Sequence, residues 1–186
     1  DEKRIAVSLK EDITEELYIE IEVSAAGNRA VAIISGGHTR FVHVSLNDKV
    51  LFSADGFGKF GALSHDEEWA CEARRYYFNI CGKYGRQVQT LLNKIKDLPM
   101  EYICPLHGPV IHENLKAFVH LYHIWSSYEP EDKAVMIAYA SMYGNTESVA
   151  QALAGKLVER GVTNVQLYDV SNTHVSYLIS EAFRVS

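Results

Sequence analysis

The sequence lacks, or is poor in, the features that mark several classes of protein. Its 186 residues include only 4 Pro and 3 Cys, no apolar run near the roughly 18 residues that span a membrane, and no basic run longer than two residues. The cysteines form no Cys-x-x-Cys pair, so neither a disulfide framework nor a cysteine zinc finger is indicated. With 18 Lys+Arg against 24 Asp+Glu, the chain also lacks the dense basic surface that nucleic acids require. We therefore expect a folded, mildly acidic, cytoplasmic protein that binds neither nucleic acid nor a membrane.

The first third of the chain has the pattern of a β-sheet. Apolar or alternating segments at residues 29–34, 40–44 and 49–52 are separated by Gly-rich and Asn-Asp turn signals. Residues 10–21 differ, because apolar side chains recur there at every fourth position, as on one face of a helix. The sequence thus predicts several strands preceded by one helical segment.

The strongest periodic signal runs through residues 69–98, where apolar side chains recur every three or four positions. Gly82 and Gly85 lie inside this stripe, which predicts a kink or two consecutive helices. A short strand at 101–104 and a further amphipathic helix at 114–125 follow.

A polar segment at residues 126–132 separates two stretches of different character. We interpret residues 1–127 as part of one domain, 128–132 as a linker and 133–186 as the first part of a second domain. Because the sequence begins without Met and enters a strand-like segment at once, we also expect it to be a piece of a longer chain.

The last part of the chain has the pattern of a βαβ unit. A continuous apolar run at 134–140 is typical of a strand buried in a parallel sheet. A loop, a helix that ends near Gly161, a strand at 164–168 and a helix at 175–183 follow. A parallel sheet is the expected result.

The loop between the first strand and helix of this unit is a candidate phosphate site. Backbone N–H groups at the start of a helix, with the positive end of its dipole, can bind a phosphate. The alternative is an ordinary strand-to-helix turn capped by Thr146. The loop has neither the Lys of a Walker A motif nor the Gly-x-Gly-x-x-Gly spacing of dinucleotide folds, which favours a mononucleotide. The candidate binding residues are Ser141, Met142, Tyr143, Gly144, Asn145 and Thr146.

Four segments together resemble one family, the flavodiiron proteins. Residues 139–147, Tyr-Ala-Ser-Met-Tyr-Gly-Asn-Thr-Glu, resemble the FMN phosphate loop of flavodoxins in its flavodiiron form. Residues 51–58 resemble the family's segment whose Asp bridges two irons, and residues 103–110 resemble the segment with its last His ligand. Residues 74–84 resemble the helix between them.

The resemblance implies an α/β fold: part of a metallo-β-lactamase-like αββα sandwich, followed by the N-terminal part of a flavodoxin-like doubly wound parallel sheet. It implies FMN and two iron ions as cofactors, with Asp55 and His107 as metal ligands. A carboxylate can bridge two cations and a neutral imidazole suits iron, so both residue types fit that chemistry. Read singly, Asp55 also fits a turn and His107 an ordinary loop position.

The family's reaction implies an oxidoreductase that reduces dioxygen to water or nitric oxide to nitrous oxide, with electrons passed through FMN to the di-iron centre. An electron donor such as rubredoxin or a flavin reductase is implied, as is a head-to-tail homodimer or tetramer. Two alternatives remain open. One is a zinc-dependent hydrolase on the same fold, and the other is a ligand-deficient, non-catalytic remnant that acts as a binding module.

The sequence departs from the family in its first part. The family's His-x-Glu-x-Asp-His ligand cluster has no counterpart in residues 1–54, and its Leu-His-Trp-Pro segment is absent. Residues 40–44 resemble the strand that precedes that segment, but His43 does not match the ligand, and the remaining histidines match no motif. We expect that residues adjacent in number near Val44 and Ser45 are separated in a longer chain by the missing segment.

Overall fold

The computed structural model describes residues 17–23, 28–35, 38–45, 48–62, 64 and 68–185. The strands are β1 (Leu17–Val23), β2 (Asn28–Ser35), β3 (His38–Ser45), β4 (Val50–Ala54), β5 (Tyr102–Pro105), β6 (Val135–Tyr139) and β7 (Val165–Asp169). The α-helices are α1 (Trp69–Tyr76), α2 (Gly85–Ile95), α3 (Leu115–Ser127), α4 (Asn145–Glu159) and α5 (Val175–Arg184). Within the described ranges, none of the helices has the length and apolar character that crossing a membrane requires.

Five strands form the first sheet, in the order β1-β2-β3-β4-β5. Strands β1 to β4 are successive antiparallel neighbours, whereas β4 and β5 run parallel. The strands predicted at 29–34, 40–44 and 49–52 are confirmed as β2, β3 and β4.

The helix predicted for residues 10–21 is wrong where it can be compared with the structure, because Leu17–Val23 is a strand paired along its length with β2. The sequence Ile-Glu-Ile-Glu-Val at residues 19–23 alternates apolar and acidic residues. This period of two, supported by a full backbone ladder, outweighs the spacing of four. Residues 10–16 lie outside the described residues.

The predicted interruption of the long helical stripe is confirmed. Helix α1 continues into a π-helical turn, Tyr77–Cys81, and a 3-10 turn, Gly82–Tyr84, before α2 begins. A Cβ on Gly85 would lie 2.6 Å from the carbonyl oxygen of Ser126 in α3. Only glycine therefore allows the start of α2 to approach the end of α3 so closely.

Aromatic side chains fill the core of this first part. Tyr77, Tyr122 and Trp125 are buried. The ring of Phe57, in the loop after β4, stacks on Tyr122 with centroids 4.1 Å apart, and Tyr77 meets Tyr122 edge to face at 5.1 Å. These contacts fasten the loop after β4 to α3.

The second sheet consists of β6 and β7, which run parallel and are connected through α4, as the sequence predicts. Gly161, with φ of 91°, follows the end of α4. His174, to which the sequence assigned no role, caps α5: its Nδ1 accepts a hydrogen bond from the N–H of Ser176 at 3.2 Å.

The two parts of the chain meet where α1 contacts α5. The Arg74 guanidinium donates to the Glu181 carboxylate at 2.9 Å, to the Glu131 carboxylate at 3.1 Å and to Ser180 Oγ at 3.2 Å. We call these four residues the Arg74 network. Beside it, Phe78 and Phe183 stack with centroids 4.2 Å apart. The boundaries 1–127, 128–132 and 133–186 stay a prediction.

Candidate functional site

Asp55 and His107 lie at one edge of the first sheet. Strand β4 ends at Ala54 and β5 ends just before Leu106, and their carboxyl ends meet because the two strands are parallel. The N–H of Leu106 donates to the Ala54 carbonyl at 2.8 Å, and the N–H of Lys59 donates to the His107 carbonyl at 3.1 Å. Backbone hydrogen bonds thus join the two loops that carry the predicted ligands.

The end of β4 and the loop after it contain unusual backbone conformations. Ala54 and Phe57 have φ angles of 51° and 62°, a left-handed conformation that costs a side-chain-bearing residue about 1–2 kcal/mol. The hydroxyl oxygen of Tyr122 accepts a hydrogen bond from the Phe57 N–H at 2.5 Å, and the Ser53 hydroxyl donates to the Gly56 carbonyl at 2.6 Å. These contacts stabilise a strained turn of the kind found at functional sites.

The side chains of Asp55 and His107 come close together. Nε2 of His107 lies 3.7 Å from Oδ1 of Asp55. The His107 side chain is 58% exposed and the Asp55 side chain is 25% exposed. In the part of the chain that the structure describes, no group of three or more His, Cys, Asp or Glu could hold a metal ion. Two irons need more donors than one carboxylate and one imidazole, and a catalytic zinc site needs about three protein ligands. The described residues therefore do not fit a di-iron or a zinc centre.

Sequence reasoning missed two neighbours of this pair. The ring centroid of Tyr76 lies 5.8 Å from that of His107, and Sγ of the buried Cys81 lies 4.0 Å from the carbonyl oxygen of Asp55. Both belong to the segment 74–84, which resembles a flavodiiron motif. That resemblance is the signal that could have placed this helical segment beside the pair.

The predicted phosphate loop joins β6 to α4. Gly144 has a φ of 84° and occupies the N-cap position, and no side chain caps the helix. Thr146 is the second residue of α4, so the expectation that it caps the helix is wrong, whereas the alternative of an ordinary strand-to-helix turn stays open. Without a capping side chain, the first backbone N–H groups of α4 are available to an anion. An uncapped helix start and a glycine with positive φ are features that a phosphate site would use.

The side chains of this loop differ sharply in their surroundings. Met142 and Tyr143 are each 86% exposed. In contrast, Oγ of Ser141 is buried and has no hydrogen-bond partner among the described residues. A buried hydroxyl without a partner is costly, and an oxygen of a bound phosphate would satisfy it. The arrangement therefore fits the phosphate group of FMN.

The candidate residues form two groups on different sheets. Asp55 and His107 follow β4 and β5, whereas residues 141–146 follow β6. Each group lies where parallel strands end, the usual position for ligands in α/β folds.

Comparisons with known proteins point to a flavin family for much of the chain. The Flavodoxin family model matches residues 137–185. An uncharacterized protein of Methanocaldococcus jannaschii is 32% identical over 140 residues, which cover 72% of this chain and 35% of that protein. A protein of Nostoc named diflavin flavoprotein A 6 is 37% identical over 120 residues, 61% of this chain and 21% of that protein. The chain thus spans between about a fifth and about a third of these curated relatives.

A different relative matches a shorter stretch more closely. A UPF0597 protein of Bacteroides fragilis is 64% identical over 53 residues, which cover 28% of this chain and 12% of that protein.

Solved structures show the fold. The flavodiiron protein from Giardia intestinalis superposes with a TM-score of 0.73 at 22% identity, over 87% of this chain and 42% of that one. Rubredoxin oxygen:oxidoreductase from Desulfovibrio gigas superposes with a TM-score of 0.72 at 25% identity, over 85% of this chain and 42% of that one. These likenesses confirm the predicted metallo-β-lactamase-like portion followed by a flavodoxin-like portion. Together with the flavodoxin match and the diflavin relative, they show that this chain is, over part of its length, a flavodiiron-type protein.

Proposed function

We propose that the chain is an FMN-dependent oxidoreductase of the flavodiiron type that binds the FMN phosphate at residues 141–146. The observation that supports this most directly is the buried Ser141 Oγ, which has no partner among the described residues and lies beside the uncapped start of α4. Bound FMN would supply a carrier that accepts and releases electrons. The chain's own residues bind and orient it: Gly144 provides the left-handed turn, and the hydroxyls of Ser141 and Thr146 supply donors.

By resemblance, the reaction of the whole protein is the reduction of dioxygen to water or of nitric oxide to nitrous oxide. Rubredoxin or a flavin reductase is the proposed electron donor, and a head-to-tail homodimer or tetramer is the proposed assembly. Oxygen and nitric oxide consumption, measured with each donor, tests this part of the proposal. We derive no step at a metal, because Asp55 and His107 do not amount to a di-iron ligand set.

A comparison of FMN with riboflavin tests the phosphate site. Riboflavin carries the same ring system without the phosphate, so phosphate recognition predicts at least about tenfold tighter binding of FMN, as measured by quenching of flavin fluorescence. Ser141→Ala should weaken the binding of FMN and leave that of riboflavin unchanged.

Thr90→Ala is the matched control, because the Thr90 hydroxyl donates to the Arg86 carbonyl within α2, remote in sequence from the loop. Equal affinity for FMN and riboflavin in the unmodified chain would contradict a phosphate site at this loop.

The zinc-hydrolase alternative has no specific observation in its favour, since the described residues do not fit a catalytic zinc site. The binding-module alternative keeps one point of support, the shortage of metal ligands.

A further inference from the structure

We propose that the chain is composite: its first 50 or so residues are a segment of UPF0597 type, which stands in place of the ligand-bearing first part of the metallo-β-lactamase-like domain. As a consequence, the chain binds no pair of irons. The inference concerns the metal part of the proposed function and leaves the FMN site unaffected.

The shares of the chain that the two kinds of relative match add up to its whole length. The UPF0597 protein matches 28% of the chain and the Methanocaldococcus protein matches 72%, which together equal the whole length. Identity also differs, at 64% for the short match and 32% for the long one. If the whole chain belonged to one family, we would not expect a short stretch of it to be twice as identical to a protein with a different family name as the rest is to its own relatives.

The short match is assigned to the start of the chain by elimination. Residues 137–185 match the flavodoxin model, and the flavodiiron-like motifs occupy 51–58, 74–84 and 103–110. Residues 111–136, between the last motif and the flavodoxin match, number only 26, so a match of 53 residues has room only at the start of the chain, where it reaches at most a few residues into the first motif. The flavodiiron motifs likewise begin only at residue 51, and under this proposal the likeness of residues 40–44 to a strand of that family is one of strand pattern alone.

The backbone at this boundary is consistent with an added segment. The β1–β2 and β2–β3 ladders contain seven residue pairs each, whereas β3 meets β4 only through His43↔Phe52, Val44↔Leu51 and Ser45↔Val50. Pairing through backbone hydrogen bonds requires an extended strand but no particular side chains, so many different sequences can form it. The short β3–β4 hairpin thus explains the abrupt join near Ser45 without a missing loop.

The consequence for metal binding follows from the residues. Nothing in residues 1–54 matches the His-x-Glu-x-Asp-His cluster or the Leu-His-Trp-Pro segment of the family. The flavodiiron-type portion contributes only Asp55 and His107, one carboxylate and one imidazole, to the predicted ligand set. Such a pair holds a divalent ion weakly, because affinity depends on several deprotonated donors fixed in place together.

A gain-of-function hybrid tests the proposal. In the hybrid, residues 1–49 are replaced by the segment of the Giardia intestinalis flavodiiron protein that precedes the strand superposed on β4. Both proteins are incubated with Fe(II) without oxygen, passed through a desalting column and assayed for iron per chain. We expect almost no iron in the unmodified chain and about two irons per hybrid chain. The hybrid with His107→Ala, which should lose at least half of that iron, is the control that links the gain to the predicted site.

Two results would overturn the proposal. One is two irons retained by the unmodified chain, and the other is a hybrid that holds no more iron than the unmodified chain while its far-UV circular dichroism shows native helix content. FMN binding is measured on the same samples. Loss of FMN binding with the expected iron result would contradict the proposed function and not the composite origin, so the two failures can be told apart.

Discussion

Replacing Arg74 by Met removes the guanidinium at the centre of the Arg74 network but keeps a long, unbranched side chain. Arg74 comes from α1, Glu131 from the polar segment before β6, and Glu181 from α5. We expect this single change to destabilise the contact between the two parts of the chain.

The size of the effect follows from burial. The side chains of Arg74, Glu131 and Glu181 are 7%, 15% and 13% exposed, so removing the cation leaves two largely buried carboxylates. Breaking a buried ion pair in this way costs about 3–5 kcal/mol. Here Glu131 keeps a hydrogen bond from the Trp125 indole N–H at 2.6 Å, and Glu181 keeps one from Arg184 at 2.7 Å. These donors lower the expected loss in the free energy of unfolding to about 2–4 kcal/mol.

Urea unfolding at pH 7, followed by two probes, measures the loss. The two tryptophans, Trp69 and Trp125, both lie in the first part of the chain, so their fluorescence reports on that part, whereas far-UV circular dichroism reports on all helices. If the network couples the parts, the two transitions coincide in the unmodified chain and separate in Arg74→Met. The matched control is Arg86→Met, at an exposed position of α2, with an expected change within about 0.5 kcal/mol.

A loss below about 1 kcal/mol in Arg74→Met, with coincident transitions, would refute the reasoning. It would mean that the cost of removing the three charges from water offsets their attraction. The stacking of Phe78 on Phe183 would then be the main stabilising contact between α1 and α5.

Three further predictions concern buried tyrosines and glycines. Tyr77→Phe should be neutral or stabilising by up to about 1 kcal/mol, because the buried Tyr77 hydroxyl has no partner among the described residues. Tyr122→Phe should destabilise by about 1–3 kcal/mol, because it leaves the Phe57 N–H without its acceptor; thermal unfolding of both variants tests the opposite signs. Burial raises the pKa of both Tyr77 and Tyr122 above the usual value, so their contribution to the free energy of unfolding should be constant below about pH 10 and fall above it. A urea midpoint that drops as steeply above about pH 10 in Tyr77→Phe as in the unmodified chain would contradict this. Gly155→Ala in α4 should stabilise the fold by up to about 1 kcal/mol, because an added Cβ meets nothing within 4 Å. Gly85→Ala should destabilise it, because its Cβ would lie 2.6 Å from a carbonyl oxygen. Equal melting temperatures for the two variants would contradict both predictions.

The sequence predicted the elements of residues 49–185 well, because their patterns are strong and local. The apolar stripe at 69–98 and the two glycines inside it predicted consecutive helices, and the structure places the π-helical turn Tyr77–Cys81 between them. The strand at Leu17–Val23 was missed because its two periods compete in the same seven residues. A ladder partner such as β2 decides between such periods, and this information is not local.

The candidate site was predictable only where its residues are neighbours in the sequence. The phosphate loop is a continuous segment, so its six residues could be read together, including the glycine that adopts φ of 84°. The neighbours of Asp55 and His107 come from distant parts of the chain. Tyr122, whose hydroxyl holds the turn after Asp55, is 65 residues from Phe57, and no pattern in the sequence links the two.

The kinds of interaction on either side of Val50 explain how a composite chain can remain folded. The first three strands join the rest of the sheet through a backbone ladder, which depends little on side-chain identity. The aromatic core and the Arg74 network, which depend on particular side chains, lie wholly within residues 57–181. A foreign segment with a strand pattern can therefore complete the sheet without disturbing either one. What it cannot replace is a set of metal ligands, because these act through their side chains, and this is why we expect flavin binding to persist where iron binding is lost.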